Sequence, residues 1–358
     1  MRPAPADLNH RVQRLLDKLV ADGAEDAVQA AVYLDGRLVV DAWAAPAGRK
    51  IDGDTVFPVW STTKGLAATV INRLVERGVL EWDAPLARWW PEFAAHGKGG
   101  ITIRHVLAHT AGMEAMPTRA AMAEIADWES MCRSLEAATP TSAPGERQSY
   151  HAITYGWLLG ETARRADGRD FARICYEEVC APLGLPSFFW QGDVPVALLD
   201  EPPLPAKKSA EPPAINPAIP PWVLPLERLI NRDEVRRACL PASNGITSAR
   251  ALAKHYAALV GDGVDGVRLL KPETVRQATD RAACAPRDPT GAGARGLGYG
   301  LSGPAEDPGQ SFGHGGYGGS SAFADAKLRM GFGFARQRMF GAPDTAGLIR
   351  AEILASLG

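Results

Sequence analysis

The chain of 358 residues has no long hydrophobic run. No segment reaches the roughly 18 consecutive apolar residues that span a bilayer, which argues against a membrane partner. An excess of one charge sign is also missing: 39 Lys and Arg stand against 41 Asp and Glu, a formal net charge of -2, with the signs interspersed. That leaves no basic stripe for nucleic acid and no polybasic patch for a membrane surface, so a small molecule is the expected partner. Cysteine is sparse, and the five present (Cys132, Cys175, Cys180, Cys239, Cys284) are odd in number and scattered, unlike a disulfide framework. The opening stretch MRPAPADLNHRVQRLLDKLVADG carries charges throughout and shows neither the apolar core nor the small-residue cleavage site of an export signal. A reduced cytoplasmic location is the expectation. No internal repeat is found.

With 46% hydrophobic residues the chain can bury a substantial core, in two domains or one large two-layer domain. AAVYLDGRLVVDAWA, from Ala30, reads as two strands around Asp35-Gly36, a dipeptide suited to a tight hairpin because both turn residues need positive φ. From Ser61 to about Glu178 the period becomes helical, with apolar residues three and four apart in LAATVINRLVERGV, IADWESMCRSLEAA and TYGWLLGETARRA. Pro186 to Pro225 is proline-rich and aperiodic, an extended surface excursion that serves as a connector or as a lid or pocket wall. A helix, SARALAKHYAALV, follows, and then the short glycine-rich strand candidates LGYGLSG, SSAFADA and MGFGFARQR. Strands at both ends with helices between predict an α/β fold of the α+β type. Its antiparallel sheet is built from both chain ends, flanked by helices, with an inserted mainly helical domain. Residues 1–60 and 240–358 would form the sheet domain and 61–239 the helical one.

The segment VWSTTKGLAAT, Val59 to Thr69, sets Ser61 and Lys64 three residues apart at the start of a helix, hence on one face. A serine hydroxyl is a poor nucleophile until a base takes its proton, and lysine serves as that base when burial or a neighbouring charge depresses its pKa. The helix N-terminus adds partial positive charge and turns the Ser61 N–H toward a developing oxyanion. Alone, S-x-x-K is a weak pattern that a capping serine and a surface lysine also satisfy. No other serine in this chain has a lysine three residues later.

DTVFPVWSTTKG (Asp54 to Gly65) resembles the nucleophile segment of the serine β-lactamases and penicillin-binding proteins, closest to the class C branch that includes the family VIII carboxylesterases. Also similar are APLARWWPEFAAHGKGGITIRHVLAHTAGM (Ala84 to Met113), APGERQSYHAITYGWLLGE (Ala143 to Glu161) and FGHGGYGGSSAFAD (Phe312 to Asp325), in the same order. The resemblance implies that Tyr150 is the partner of Lys64 in proton transfer. It also implies that His314-Gly315-Gly316-Tyr317 is a strand edge lining the cleft, with the Tyr317 N–H joining that of Ser61 as the oxyanion hole.

Class C β-lactamases carry Tyr-x-Asn and Lys-Thr-Gly where this chain has Ala152 and His314. Losing a fixed amide and a permanent cation weakens recognition of an anionic β-lactam, since a buried polar site discriminates strongly against a missing partner. The expectation is therefore a serine hydrolase cleaving carboxylic esters through an acyl-enzyme on Ser61, with weak β-lactam hydrolysis at most and no metal or organic cofactor. Alternatives on the same residues are a D-amino-acid peptidase or amidase and an acyltransferase; a non-catalytic binding homologue is the alternative of another class. Ala152, His314, Gly315 and Gly316 are the expected substrate-binding positions, although His314 and His151 fit a structural role equally.

Three other patterns are weighed and set aside. GHGGYG (Gly313 to Gly318) matches G-x-G-x-x-G but has no room for a βαβ unit after it. His105 and His109 are four apart, yet Val106 stands where a zinc peptidase needs glutamate. GQSFG (Gly309 to Gly313) matches a nucleophile elbow at Ser311, without the following helix, acid and histidine. Trp60, Trp89, Trp90, Trp157, Trp190 and Trp222 fit core packing better than an acyl pocket.

Overall fold

A computed structural model describes residues 7–117, 122–189, 192, 196–199, 216–281 and 294–357. Strands β1 (Val28–Leu34) and β2 (Arg37–Ala44) form the early hairpin, and Asp35 and Gly36 take φ of 46° and 73°, the positive values that tight turn needs. Two short strands, β3 (Phe57–Pro58) and β4 (Ile246–Thr247), pair separately. The remaining strands come late in the chain: β5 (Gly300–Leu301), β6 (Ser311–Gly315), β7 (Ser321–Asp325) and β8 (Met330–Arg336). The main sheet is antiparallel in the order β2-β1-β8-β7-β6-β5, so Val28 at one end of the chain pairs with Arg336 at the other. Both chain ends build one sheet.

Helices cover both faces. They are α1 (Leu8–Ala21), α2 (Thr63–Glu76), α3 (Ile103–Leu107), α4 (Trp128–Ala137), α5 (Thr154–Asp167) and α6 (Phe171–Cys175), then α7 (Leu226–Asn231), α8 (Asp233–Arg237), α9 (Ala249–Ala257), α10 (Pro272–Thr279) and α11 (Thr345–Leu357). Phe332 and Phe334 of β8 pack with Leu8, Val12 and Leu16 of α1 and Ile349 and Ile353 of α11. Gly331 and Gly333 alternate with them on the opposite face. A Cβ on Gly331 would stand 2.3 Å from the Ala253 carbonyl oxygen, and one on Gly333 would stand 2.2 Å from that of Ala249. Helix α9 thus rests backbone to backbone on β8, which explains the alternation in MGFGFAR. Helices α2, α5 and α9 and their neighbours form the larger core on that side.

The periodic helices expected from the sequence are present as α2, α4, α5 and α9; α1 and α11 were not read from it. The excursion behaves differently from the expectation of a surface path. Of its described residues, Phe188, Phe189, Leu199, Ala218 and Val223 are buried, and the Pro217 carbonyl accepts from the Met116 N–H at 2.8 Å. Aperiodic backbone with scattered apolar side chains docks them one at a time. Trp190, Cys284 and most of residues 190–215 lie outside the described residues. Cys132, Cys175, Cys180 and Cys239 are free thiols, and among the described residues no helix is long and apolar enough to cross a membrane.

Candidate active site

The turn that carries Ser61 is pinned at both ends. Val59 N–H donates to the Gly245 carbonyl at 2.9 Å, and Gly245 N–H donates to Thr63 Oγ1 at 2.9 Å. Between them Trp60 holds φ of 49°, a left-handed conformation that is rare for a bulky side chain and strained by about 1–3 kcal/mol. A single 3-10 turn, Trp60–Thr62, then runs into α2 and leaves Ser61 half-buried at the helix entrance.

Lys64, one turn further, is fully buried. Its Nζ lies 3.1 Å from Ser61 Oγ, 2.6 Å from the Ala152 carbonyl oxygen and 2.9 Å from that of Ala242. Burial pushes its pKa well below the ordinary lysine value, and the positive charge of Arg295 pushes it the same way. A neutral amine has two hydrogens and one lone pair. Two carbonyls take the hydrogens, and the lone pair faces the Ser61 hydroxyl, which can then donate to it. Asn244 shapes the loop that aims the Ala242 carbonyl: its side chain accepts from Leu240 N–H at 2.7 Å and donates to the carbonyls of Val235 and Ala238 at 2.7 and 2.8 Å.

Tyr150 sits just before α5 on a segment stitched to residues 108–113. Gln148 donates to the Ala108 carbonyl at 3.0 Å, Ser149 N–H to that of His109 at 2.8 Å, and His151 N–H to His109 Nδ1 at 3.1 Å. His151 Nε2 in turn accepts from Met113 N–H at 3.0 Å. Burial keeps both rings neutral, lowering His109 well below its ordinary range and His151 to about 4. The Tyr150 ring centroid lies 4.8 Å from Lys64 Nζ. Its hydroxyl is buried near Ser61 without a hydrogen bond of its own. Burial raises the phenol's pKa most, with Ser61 and Arg295 pulling the other way.

The end of β6 closes the other side. Ser320 Oγ donates to the Val59 carbonyl at 2.8 Å and lies 3.2 Å from Thr62 Oγ1. Gly316 is forced by this contact, because a Cβ there would stand 2.3 Å from the Val59 oxygen. The turn bearing Tyr317 is thereby tied to the turn bearing Ser61, and the Trp60 and Tyr317 rings meet edge to face at 5.9 Å. His314 donates through Nδ1 to the Gly315 carbonyl at 2.7 Å, while Nε2 is buried with no partner. Burial, reinforced by Lys64 and Arg295, lowers its pKa to about 3, so the ring is a neutral acceptor. Ala152 contributes its carbonyl to Lys64, and Gly315 is exposed at the cleft wall with Tyr150, His314 and Arg295.

Arg295 is the site residue that sequence reasoning missed. Its guanidinium carbon lies 5.0 Å from the Tyr150 ring centroid, in a region where His314 alone leaves no fixed charge. Nothing in GAGARGLGYG signals it by spacing, since the fold alone brings the residue to the cleft. The set-aside patterns have other uses. Ser311 is fully buried in β6 and donates to Asp325 Oδ2 at 2.5 Å. His105 completes a capping box with Thr102 at the start of α3. Trp60, Trp90 and Trp157 are buried, and Trp222 donates to the Pro117 carbonyl at 2.8 Å.

A turn-borne serine against a buried lysine, with a tyrosine above and a strand edge opposite, is the arrangement of a serine acyl-transfer enzyme. The β-lactamase family profile matches residues 12–357, and the chain belongs to that family of serine hydrolases. It is similar to the esterase/β-lactamase LipL of Mycobacterium tuberculosis, 32% identical over 351 residues that cover 86% of this chain and 76% of LipL. Among solved structures, a penicillin-binding-protein homologue from Caulobacter crescentus matches with a TM-score of 0.84 at 32% identity, covering 99% of each chain. A family VIII carboxylesterase matches with a TM-score of 0.84 at 30% identity, again over 99% of each chain.

Proposed function

We propose that this serine hydrolase cleaves carboxylic esters through an acyl-enzyme on Ser61. The observation that carries the reading is the 3.1 Å contact between Ser61 Oγ and the Nζ of a fully buried Lys64 whose other two contacts are carbonyls. Neutral Lys64 takes the Ser61 proton as Oγ attacks the ester carbonyl, and the oxyanion rests on the N–H groups of Ser61 and Tyr317. When the C–O bond breaks, the Tyr150 hydroxyl gives its proton to the leaving alkoxide and regains one from the Lys64 ammonium. Water then enters and gives up a proton to Lys64 through Tyr150. Its oxygen displaces Ser61 Oγ from the acyl carbon, Ser61 recovers a proton, and the acid departs.

Esterase names among the relatives support ester substrates, as do Ala152 and His314 in the positions where the resembling lactamases hold asparagine and lysine. Hydrolysis of short p-nitrophenyl esters beside a chromogenic cephalosporin tests the reading, together with labelling by a fluorophosphonate probe. Ester turnover and labelling are both expected, and Ser61→Ala abolishes both. Dominant cephalosporin turnover, or labelling that survives Ser61→Ala and disappears in Ser311→Ala, would overturn it.

A further inference from the structure

We propose that Arg295 makes the cleft selective for esters that carry a carboxylate on the leaving alcohol. This builds on the acyl-enzyme reading above. Tyr150, Arg295 and His314 line one cavity of about 570 Å³, which continues past the short strand β5 to Arg350. That volume holds an aromatic acid with room to spare. Tyr150 lines the cavity and Ser61 does not, so a substrate group within it lies beyond Tyr150 as seen from the nucleophile. If Tyr150 protonates the leaving alcohol, that group belongs to the alcohol.

The charge on this wall is positive. His314 is neutral, with its Nδ1–H spent on Gly315 and only an acceptor nitrogen remaining. Asp344 caps α11 through the Gly347 N–H at 3.0 Å and interacts with Arg336. Arg350 lies over Phe323 at the far end, 5.2 Å from the ring centroid. Arg295, beside Tyr150, is thus the cation nearest the reacting atoms among the residues lining the cavity. Its positive charge is felt at Lys64, Tyr150, His109 and His314. A guanidinium presents two parallel N–H groups that match a carboxylate, which makes carboxylate rather than any anion the expected ligand.

The test uses the full chain and two ester pairs: para-(butyryloxy)benzoate against its methyl ester, and monophenyl glutarate against phenyl butyrate. The readout is the kcat/KM ratio of charged to neutral ester within each pair. Arg295 also acts on Lys64 and Tyr150, so Arg295→Gln changes absolute rates for every ester, and the ratio cancels that shared effect. We expect the wild type to favour the charged benzoate and Arg295→Gln to lower that ratio by about tenfold or more. Arg295→Lys should keep most of the preference, and the glutarate pair should change little. A thermal melt like that of the wild type secures the comparison. An unchanged benzoate ratio with both esters still hydrolysed overturns the selectivity alone. A loss confined to the glutarate pair overturns its assignment to the alcohol side. No turnover of any ester by the wild type overturns the esterase reading, and this proposal with it.

Discussion

Two lysines in this chain are fully covered, Lys64 and Lys98, and each donates to a pair of backbone carbonyls. Lys98 contacts the carbonyls of Glu136, at 2.8 Å, and Ala138, at 2.5 Å, and so ties down the end of α4. Its nearest charge is the Glu136 carboxylate, which favours the ammonium and offsets part of the burial. Lys64 has Arg295 instead, which adds to the burial, and its third contact is a serine hydroxyl. The lesson is that burial alone makes a lysine structural. Burial with a like charge and a proton donor in reach makes it a base.

The comparison can be broken by treating the two residues alike. Lys64→Met should lower kcat for ester hydrolysis by about a thousandfold, within the range removed with a general base, whereas Lys98→Met should leave kcat within about twofold. Equal losses would mean that both lysines act through stability. On the folding side Lys98→Met leaves two carbonyls without their donor, and urea unfolding should show a loss of about 1–3 kcal/mol.

The pH dependence sharpens the contrast. Lys64 titrates well below its ordinary value when folded and near that value when unfolded. Between the two values the unfolded chain binds more protons, so stability rises with pH across that window and levels off once pH falls below the folded value. Lys64→Met should therefore flatten the slope of unfolding free energy by up to about 1.4 kcal/mol per pH unit, measured between about pH 7 and about pH 9. An unchanged slope would show that Lys64 stays charged. The same logic sets the acid limb of kcat/KM: Arg295→Gln removes a charge that disfavours the ammonium, so the limb should move to higher pH. The smallest effect is expected at the tether between the two walls of the cleft. Ser320→Ala, by deleting its bond to the Val59 carbonyl, should cost about 1 kcal/mol and a several-fold drop in kcat.

What could be read in the sequence follows how local each feature is. The Asp35-Gly36 turn and the Ser61 to Lys64 spacing depend on a few consecutive residues, so their geometry was accessible. The roles of Tyr150 and Tyr317 entered only through resemblance, because each meets Ser61 across a fold that no spacing reveals. Arg295 and the Ala242 carbonyl escaped altogether: one stands in a glycine-rich stretch without period, and the other is a backbone atom that no side-chain pattern can advertise. Helix α1 was legible in principle, since Leu8, Val12 and Leu16 recur every four residues and are buried, but that stretch was read only for an export signal. The proline-rich excursion misled because aperiodic backbone was taken to mean a surface path.

The pairing of β1 with β8 has a consequence for the birth of the protein. The hairpin β1–β2 emerges early in synthesis with one edge complete and the other waiting for residues 330–336. Until that strand is made, an apolar edge stands open for most of translation, and the sheet closes late, by a contact between distant parts of the chain. Slow codons or a holding chaperone would matter most in that interval, when the segment bearing Ser61 already exists but the strand edge opposite it does not.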